Sequence, residues 1–130
     1  MTVYALDSSF VVDLVRGDPG AKGKAESLEE TGESAFLAAP ALAEVMIGAY
    51  FAGGAKLKRT LQILESVTVT ETDAKVALEA AAIGADLLRR GTPLALPDLL
   101  IAAAARGAGH TVLTRDDGFG RIPGLAVELY

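Results

Sequence analysis

Five short apolar runs, separated by helical stretches, constrain this chain more than any other feature. Val3–Leu6 stops at Asp7, Ser34–Ala38 leads into Pro40, and Val67–Val69 sits in an alternating Val-Thr-Val-Thr segment. Thr111–Leu113 ends at Thr114, and Leu125–Leu129 completes the series. Runs this short and this apolar suit buried strands. The stretches between them carry helix punctuation. Ser9–Val15 is stopped by Gly17, and a helix from Pro19 to Glu30 has Asp18 as its cap and Gly32 after it. Pro40–Phe51 is ended by Gly53-Gly54, and Ala55–Leu64 repeats leucine at helical spacing. Asp73 caps a long helix to Arg90, with Gly91 beyond it. Pro97–Arg106 is broken by Gly107 and Gly109, and residues 115–120 read as a loop or short helical turn. Proline inside the start and glycine past the end of a helix follow from proline's missing N–H and glycine's access to positive φ. Strand and helix in alternation predict an α/β domain: a mostly parallel sheet of about five strands covered by helices on both faces.

The length fits a single domain over residues 1–130, large enough to bury a core without staples. There is no cysteine, which excludes thiolate zinc sites, disulfides and thiol catalysis. No apolar run approaches the ~20 residues of a membrane span, and Asp7 and Asp13 interrupt the only apolar candidate for a leader. The expectation is a cytoplasmic protein with no membrane association. The net charge of −5 has the wrong sign for a protein that holds nucleic acid through phosphate contacts alone. Any such role needs local basic patches or bound cations.

Parallel α/β sheets hold ligands beyond the carboxyl ends of their strands, which draws attention to four acids. Asp7 follows the first strand, although it or Ser8 or Ser9 could simply cap the next helix. Asp98 follows Pro97 at a helix start, where the dipole alone favours an acid. Asp116 follows the fourth strand, beside a good turn pair, Asp117-Gly118. Glu44 lies in Ala41-Leu-Ala-Glu-Val-Met-Ile-Gly48. A helix apolar nearly all round should be largely buried, and an ionised carboxylate there is costly unless it is paired or binds metal. If the four converge, two charges ~4 Å apart repel by ~4 kcal/mol at an effective dielectric near ~20. A divalent cation would relieve this. Oxygen-only ligands favour Mg²⁺ or Mn²⁺ over zinc.

Leu6-Asp7-Ser8-Ser9, Ala43-Glu44-Val45 and Pro97-Asp98-Leu99-Leu100-Ile101-Ala102-Ala103 occur in this order. Leu113-Thr114-Arg115-Asp116, Phe119 and Ile122-Pro123-Gly124-Leu125 follow. The chain resembles the PIN-domain ribonucleases over almost its whole length, and within them the VapC-type toxins of toxin–antitoxin pairs. The resemblance implies the PIN-like three-layer α/β/α fold, Mg²⁺- or Mn²⁺-dependent cleavage of RNA, a homodimer and a cognate antitoxin. It assigns the acidic positions to Asp7, Glu44, Asp98 and Asp116, with Ser8 and Thr114 as polar neighbours. Gly118 stands where the family often has a further aspartate, so a second metal site would be weaker or differently built.

Asp7, Asp98 and Asp116 are expected to hold metal directly, and Glu44 to bind it or orient water. Arg115 is the best placed residue to steer phosphate; Arg106 and Arg121 read as solvated surface, and His110 as uninvolved. A receiver-type phosphoacceptor would need a lysine after the last strand, and none occurs after Lys75. A haloacid-dehalogenase-type phosphatase would need Asp-x-Asp, and Ser9 occupies the second position. A non-catalytic module that binds a partner protein through the apolar helices near Ala41–Phe51 and Ala80–Leu88 stays open.

Overall fold

A computed structural model describes all 130 residues. The five strands are β1 (Tyr4–Leu6), β2 (Ala35–Ala38), β3 (Thr68–Thr70), β4 (Thr111–Thr114) and β5 (Ala126–Leu129). Six α-helices lie between them: α1 (Ser8–Arg16), α2 (Pro19–Thr31), α3 (Ala39–Ala52), α4 (Gly54–Leu64), α5 (Ala74–Arg89) and α6 (Leu96–Ala108). A 3-10 turn, Asp117–Arg121, precedes β5. The sheet order is β3-β2-β1-β4-β5 and every pairing is parallel.

The chain builds outward from β1 through β2 to β3, then crosses back to lay β4 on the other side of β1. Such a reversal opens a crevice at the carboxyl ends of the two strands it separates. Those strands are β1 and β4, and Asp7 and Asp116 follow them. The register there is closed by Asp7 N–H donating to the Leu113 carbonyl at 3.0 Å.

Helices cover both faces. Phe10, Val11 and Leu28, from α1 and α2, line a cavity with Leu6 on one side of the sheet. Ile101 and Ala105 of α6 line another with Ala5 on the opposite side, and α5 packs on α6. Gly84 of α5 permits that approach: a Cβ there would stand 2.8 Å from a Leu99 methyl. The core is built around Leu6, Phe10, Leu37, Ile101, Val112, Leu113 and Phe119.

The local expectations hold closely. Asp18 and Asp73 cap α2 and α5, accepting from Ala21 and Val76 N–H at 3.0 and 2.9 Å. The last helix continues past Gly107, a residue expected to break it, and stops at Gly109, whose φ is +73°. The expectation for the third helix requires correction. Only Ala41, Val45 and Ala49 of α3 are buried, one narrow stripe at i, i+4 and i+8. Glu44 is exposed, as are Ile47 (71%), Tyr50 (69%) and Phe51 (94%). The apolar composition of α3 therefore belongs partly to surface, and burial does not single out Glu44.

Candidate functional site

Asp7 is the best-held of the four acids. It stands at the N-cap of α1 but makes no capping hydrogen bond, so capping does not explain it. Its side chain is 5% exposed. Oδ2 accepts from Ser9 Oγ at 2.9 Å and from Thr114 Oγ1 at 2.8 Å. Thr114, fully buried, accepts from Asp116 N–H at 2.9 Å. Its single hydroxyl proton is therefore committed to Asp7. Two hydroxyl donors saturate one carboxylate oxygen and leave Oδ1 without a protein partner.

Asp98 lies in the first turn of α6, half-buried. Its pKa is pushed up to about 6, first by burial and then by the negative charges of Asp7, Glu44 and Asp116. Asp7 and Asp116 are joined through Thr114, and Asp98 lies within range of the charges of Asp7, Glu44 and Asp116. None of the four takes part in an ion pair. Asp116 is exposed and also serves the turn, its Oδ1 accepting from Gly118 N–H at 2.9 Å. A Cβ at Gly118 would meet Leu94 at 3.1 Å and Asp116 Oδ1 at 3.2 Å. A side chain at this position would require Leu94 and the Asp116 carboxylate to shift slightly.

As the side chains stand, no three acids are grouped closely enough to hold an ion between them. The donor chemistry nonetheless suits Mg²⁺ or Mn²⁺. These are oxygen donors around a centre short of positive charge, and Mg²⁺ keeps several waters and uses only one or two carboxylates. The largest cavity, about 350 Å³ between α1, α2 and α4, contains none of the four acids.

Of the two expected polar neighbours, Thr114 reaches Asp7 and Ser8 does not; Ser9 reaches it instead. Arg115 is engaged by Asp13: its Nη1 lies 3.0 Å from Asp13 Oδ1 and 3.0 Å from Oδ2. Asp13 is 3% exposed and also accepts from the Tyr130 hydroxyl at 2.7 Å. Burial raises the Tyr130 phenol above its ordinary range, so it remains a donor. Asp13 and Tyr130 were not anticipated. A lone acid within Phe10-Val-Val-Asp-Leu-Val15 carries the same signal that drew attention to Glu44; nothing in the sequence marks Tyr130. His110 stacks on Phe36 with centroids 5.2 Å apart, a packing role.

A five-stranded parallel sheet covered by helices on both faces, with acids following β1 and β4 where the strand order reverses, defines a three-layer α/β/α domain. The PIN domain profile matches residues 4–125, and the chain belongs to the PIN domain family. A comparison with curated proteins finds no significant match. Among solved structures, the chain is similar to VapBC from Salmonella typhimurium bound to DNA, with 26% identity, TM-score 0.82 and coverage of 99% and 98% of the two chains. It is similar to a toxin–antitoxin complex from Klebsiella pneumoniae, with 27% identity, TM-score 0.73 and 95% of both chains covered. VapBC2 from Rickettsia felis, bound to a promoter DNA fragment, shares the fold at TM-score 0.85 with 23% identity and 99% of both chains covered.

Proposed function

We propose that this chain is a VapC-type toxin, a divalent-metal-dependent ribonuclease whose centre is formed by Asp7, Asp98, Asp116 and Glu44. The observation that carries the reading is the link from Asp7 through Thr114 to Asp116 at the strand-order reversal. Asp98 is half-buried, its pKa pushed up to about 6 by burial and by the charges of Asp7, Glu44 and Asp116, and none of the four is in an ion pair. Asp7, Asp98 and Asp116 would hold Mg²⁺ or Mn²⁺, and Glu44, exposed on α3, is free to bind the ion or orient water. When bound, such an ion supplies Lewis-acid activation of phosphate and of water. Ser9 and Thr114 hold one oxygen of Asp7 and leave the other free.

The substrate backbone must be drawn to an acidic protein. A groove of about 210 Å³ runs from Glu44 between α1, α3 and α4, and Arg16 and Lys56 line it. Neither cation is in an ion pair. Arg16 and Lys56 are thus better placed than Arg115 to meet RNA phosphate, since Arg115 is engaged with Asp13.

The exposed Ile47, Tyr50 and Phe51 of α3 support a protein partner, read as a cognate antitoxin or a second copy in a homodimer. Patches of this kind mark interaction sites. No helix is long and apolar enough to cross a membrane, in keeping with a cytoplasmic role. The rival reading is a non-catalytic module of the same fold acting through that partner. Cleavage of single-stranded RNA with Mg²⁺ or Mn²⁺ separates the two. Wild type should cleave, EDTA should stop it, and folded Asp7→Asn should be inactive. Full activity in folded Asp7→Asn would refute the assignment.

A further inference from the structure

Asp13 is a buried acid that the proposed metal centre does not use. Its carboxylate is shared between Arg115 Nη1 at 3.0 Å and the Tyr130 hydroxyl at 2.7 Å. Asp13 is buried and Arg115 is half-exposed, with side-chain exposures of 4% and 55%, and an ion pair open to water on one side contributes little to stability. The three partners come from three segments. Asp13 lies on α1, the helix that begins directly after Asp7. Arg115 immediately precedes Asp116 at the exit of β4. Tyr130 follows β5, donates its backbone N–H to the Thr114 carbonyl at 3.3 Å, and sets its ring edge-on to Phe10 at 5.0 Å.

Asp7 and Asp116 are therefore tied together by two routes. The short one runs through Thr114, which donates to Asp7 and accepts from Asp116 N–H. The long one runs down α1 to Asp13, across to Arg115, and along the chain to Asp116. The Tyr130 hydroxyl has one proton and two neighbours. Asp13 at 2.7 Å, being a carboxylate, takes it in preference to Ser9 Oγ at 3.4 Å. Ser9 remains free to donate to Asp7.

We propose that Asp13 is a positioning residue for the acidic centre, holding Arg115 and Tyr130 so that the loop carrying Asp116 keeps its reach toward Asp7. This rests on the divalent-metal reading above. Loss of an outer partner of a metal centre lowers metal affinity by about 10- to 100-fold. Outer positions that act through loop placement belong at the lower end.

The test is Mn²⁺ binding to the full chain, followed by electron paramagnetic resonance of the free ion. Asp13→Asn should weaken binding about tenfold. Tyr130→Phe, which keeps the ring on Phe10, should weaken it by a smaller factor. Arg115→Met discriminates between causes. Removing a positive charge near an acidic centre tightens Mn²⁺ binding if only the local field matters, and weakens it if Arg115 positions Asp116. Tyr4→Phe removes a buried hydroxyl remote from the four acids; it should lower the unfolding midpoint and leave Mn²⁺ affinity unchanged. If Asp98→Asn loses Mn²⁺ while Arg115→Met binds it as tightly as wild type or more tightly, the positioning role is overturned and the metal centre stands. If Asp98→Asn binds Mn²⁺ undiminished, the metal reading fails and takes this proposal with it. Should Asp13→Asn not fold, Arg115→Met and Tyr130→Phe decide the matter.

Discussion

Glu128 and Asp98 are both partly buried carboxylates, and the fold surrounds them in opposite ways. Glu128, on β5, lies 2.6 Å from Lys24 of α2 and accepts from the Tyr4 hydroxyl at 2.9 Å. The hydrogen bond from Lys24 lowers its pKa, and its own bond to Lys24 raises that of the lysine. Asp98, at the strand-order reversal, has burial and three like charges acting on it, and its pKa rises to about 6. One region supplies its own counter-charge. The other concentrates negative charge and leaves it uncompensated, which costs folding stability and suits a centre that takes a cation from solution.

Replacing the acid of the uncompensated region should have the largest effect. Asp98→Asn should reduce RNA cleavage by roughly 100-fold or more, at least the loss seen when an outer partner of a metal is removed. It should also make the metal-free protein more stable, because a like charge is gone. Initial-rate assays and urea unfolding in EDTA check the two halves.

Thr114→Val probes the device that aims Asp7. The change is nearly isosteric, but it leaves the Asp116 N–H and one Asp7 hydrogen bond unmet. The expected cost is about 1–3 kcal/mol of stability, with cleavage reduced and the Mn²⁺ requirement raised. An activity loss without any change in the Mn²⁺ requirement would remove Thr114 from the centre.

The pH response should run in opposite directions in the two regions. Asp98 has a raised folded pKa, so its contribution to metal-free stability is fully present below the ordinary carboxylate value. That contribution is lost as pH rises toward and through about 6. Metal competes with that proton, so Mn²⁺ affinity should fall about tenfold per unit below the folded pKa. Glu128 has a lowered pKa, so its contribution is present above the ordinary glutamate value and lost as pH falls through its folded value. Comparing unfolding midpoints of wild type, Asp98→Asn and Glu128→Gln across this range in EDTA isolates each contribution. The smallest effect is Glu128→Gln at neutral pH, about 0.5 kcal/mol for a partly exposed pair, with cleavage unchanged.

Much of the fold is legible in the sequence. Strand–helix alternation fixes a parallel sheet because parallel neighbours require crossovers, and the glycines at 17, 32 and 109 end helices through positive φ. Strand-end logic pointed to Asp7 and Asp116, and these residues do follow β1 and β4, between which the strand order reverses. It did not identify which oxygen of Asp7 is engaged, nor that Ser9 rather than Ser8 engages it, since both serines lie in one helical turn. Composition misled at Glu44. An apolar helix reads as buried whether its surface meets the core or a partner, and Ile47, Tyr50 and Phe51 face outward. Asp13, in an equally apolar stretch, is the acid that is buried and paired. Its pairing with Arg115 joins positions 102 residues apart, a separation no local pattern reports.

The central claim is that the four acids form a site whose missing charge is a divalent cation. The unfolding midpoint of wild type and Asp98→Asn, each measured in EDTA and in Mn²⁺, tests it most directly. The account predicts that wild type is the less stable protein in EDTA and is raised by Mn²⁺, while Asp98→Asn starts higher and responds little. A wild-type midpoint unmoved by Mn²⁺, with Asp98→Asn no more stable in EDTA, would contradict it.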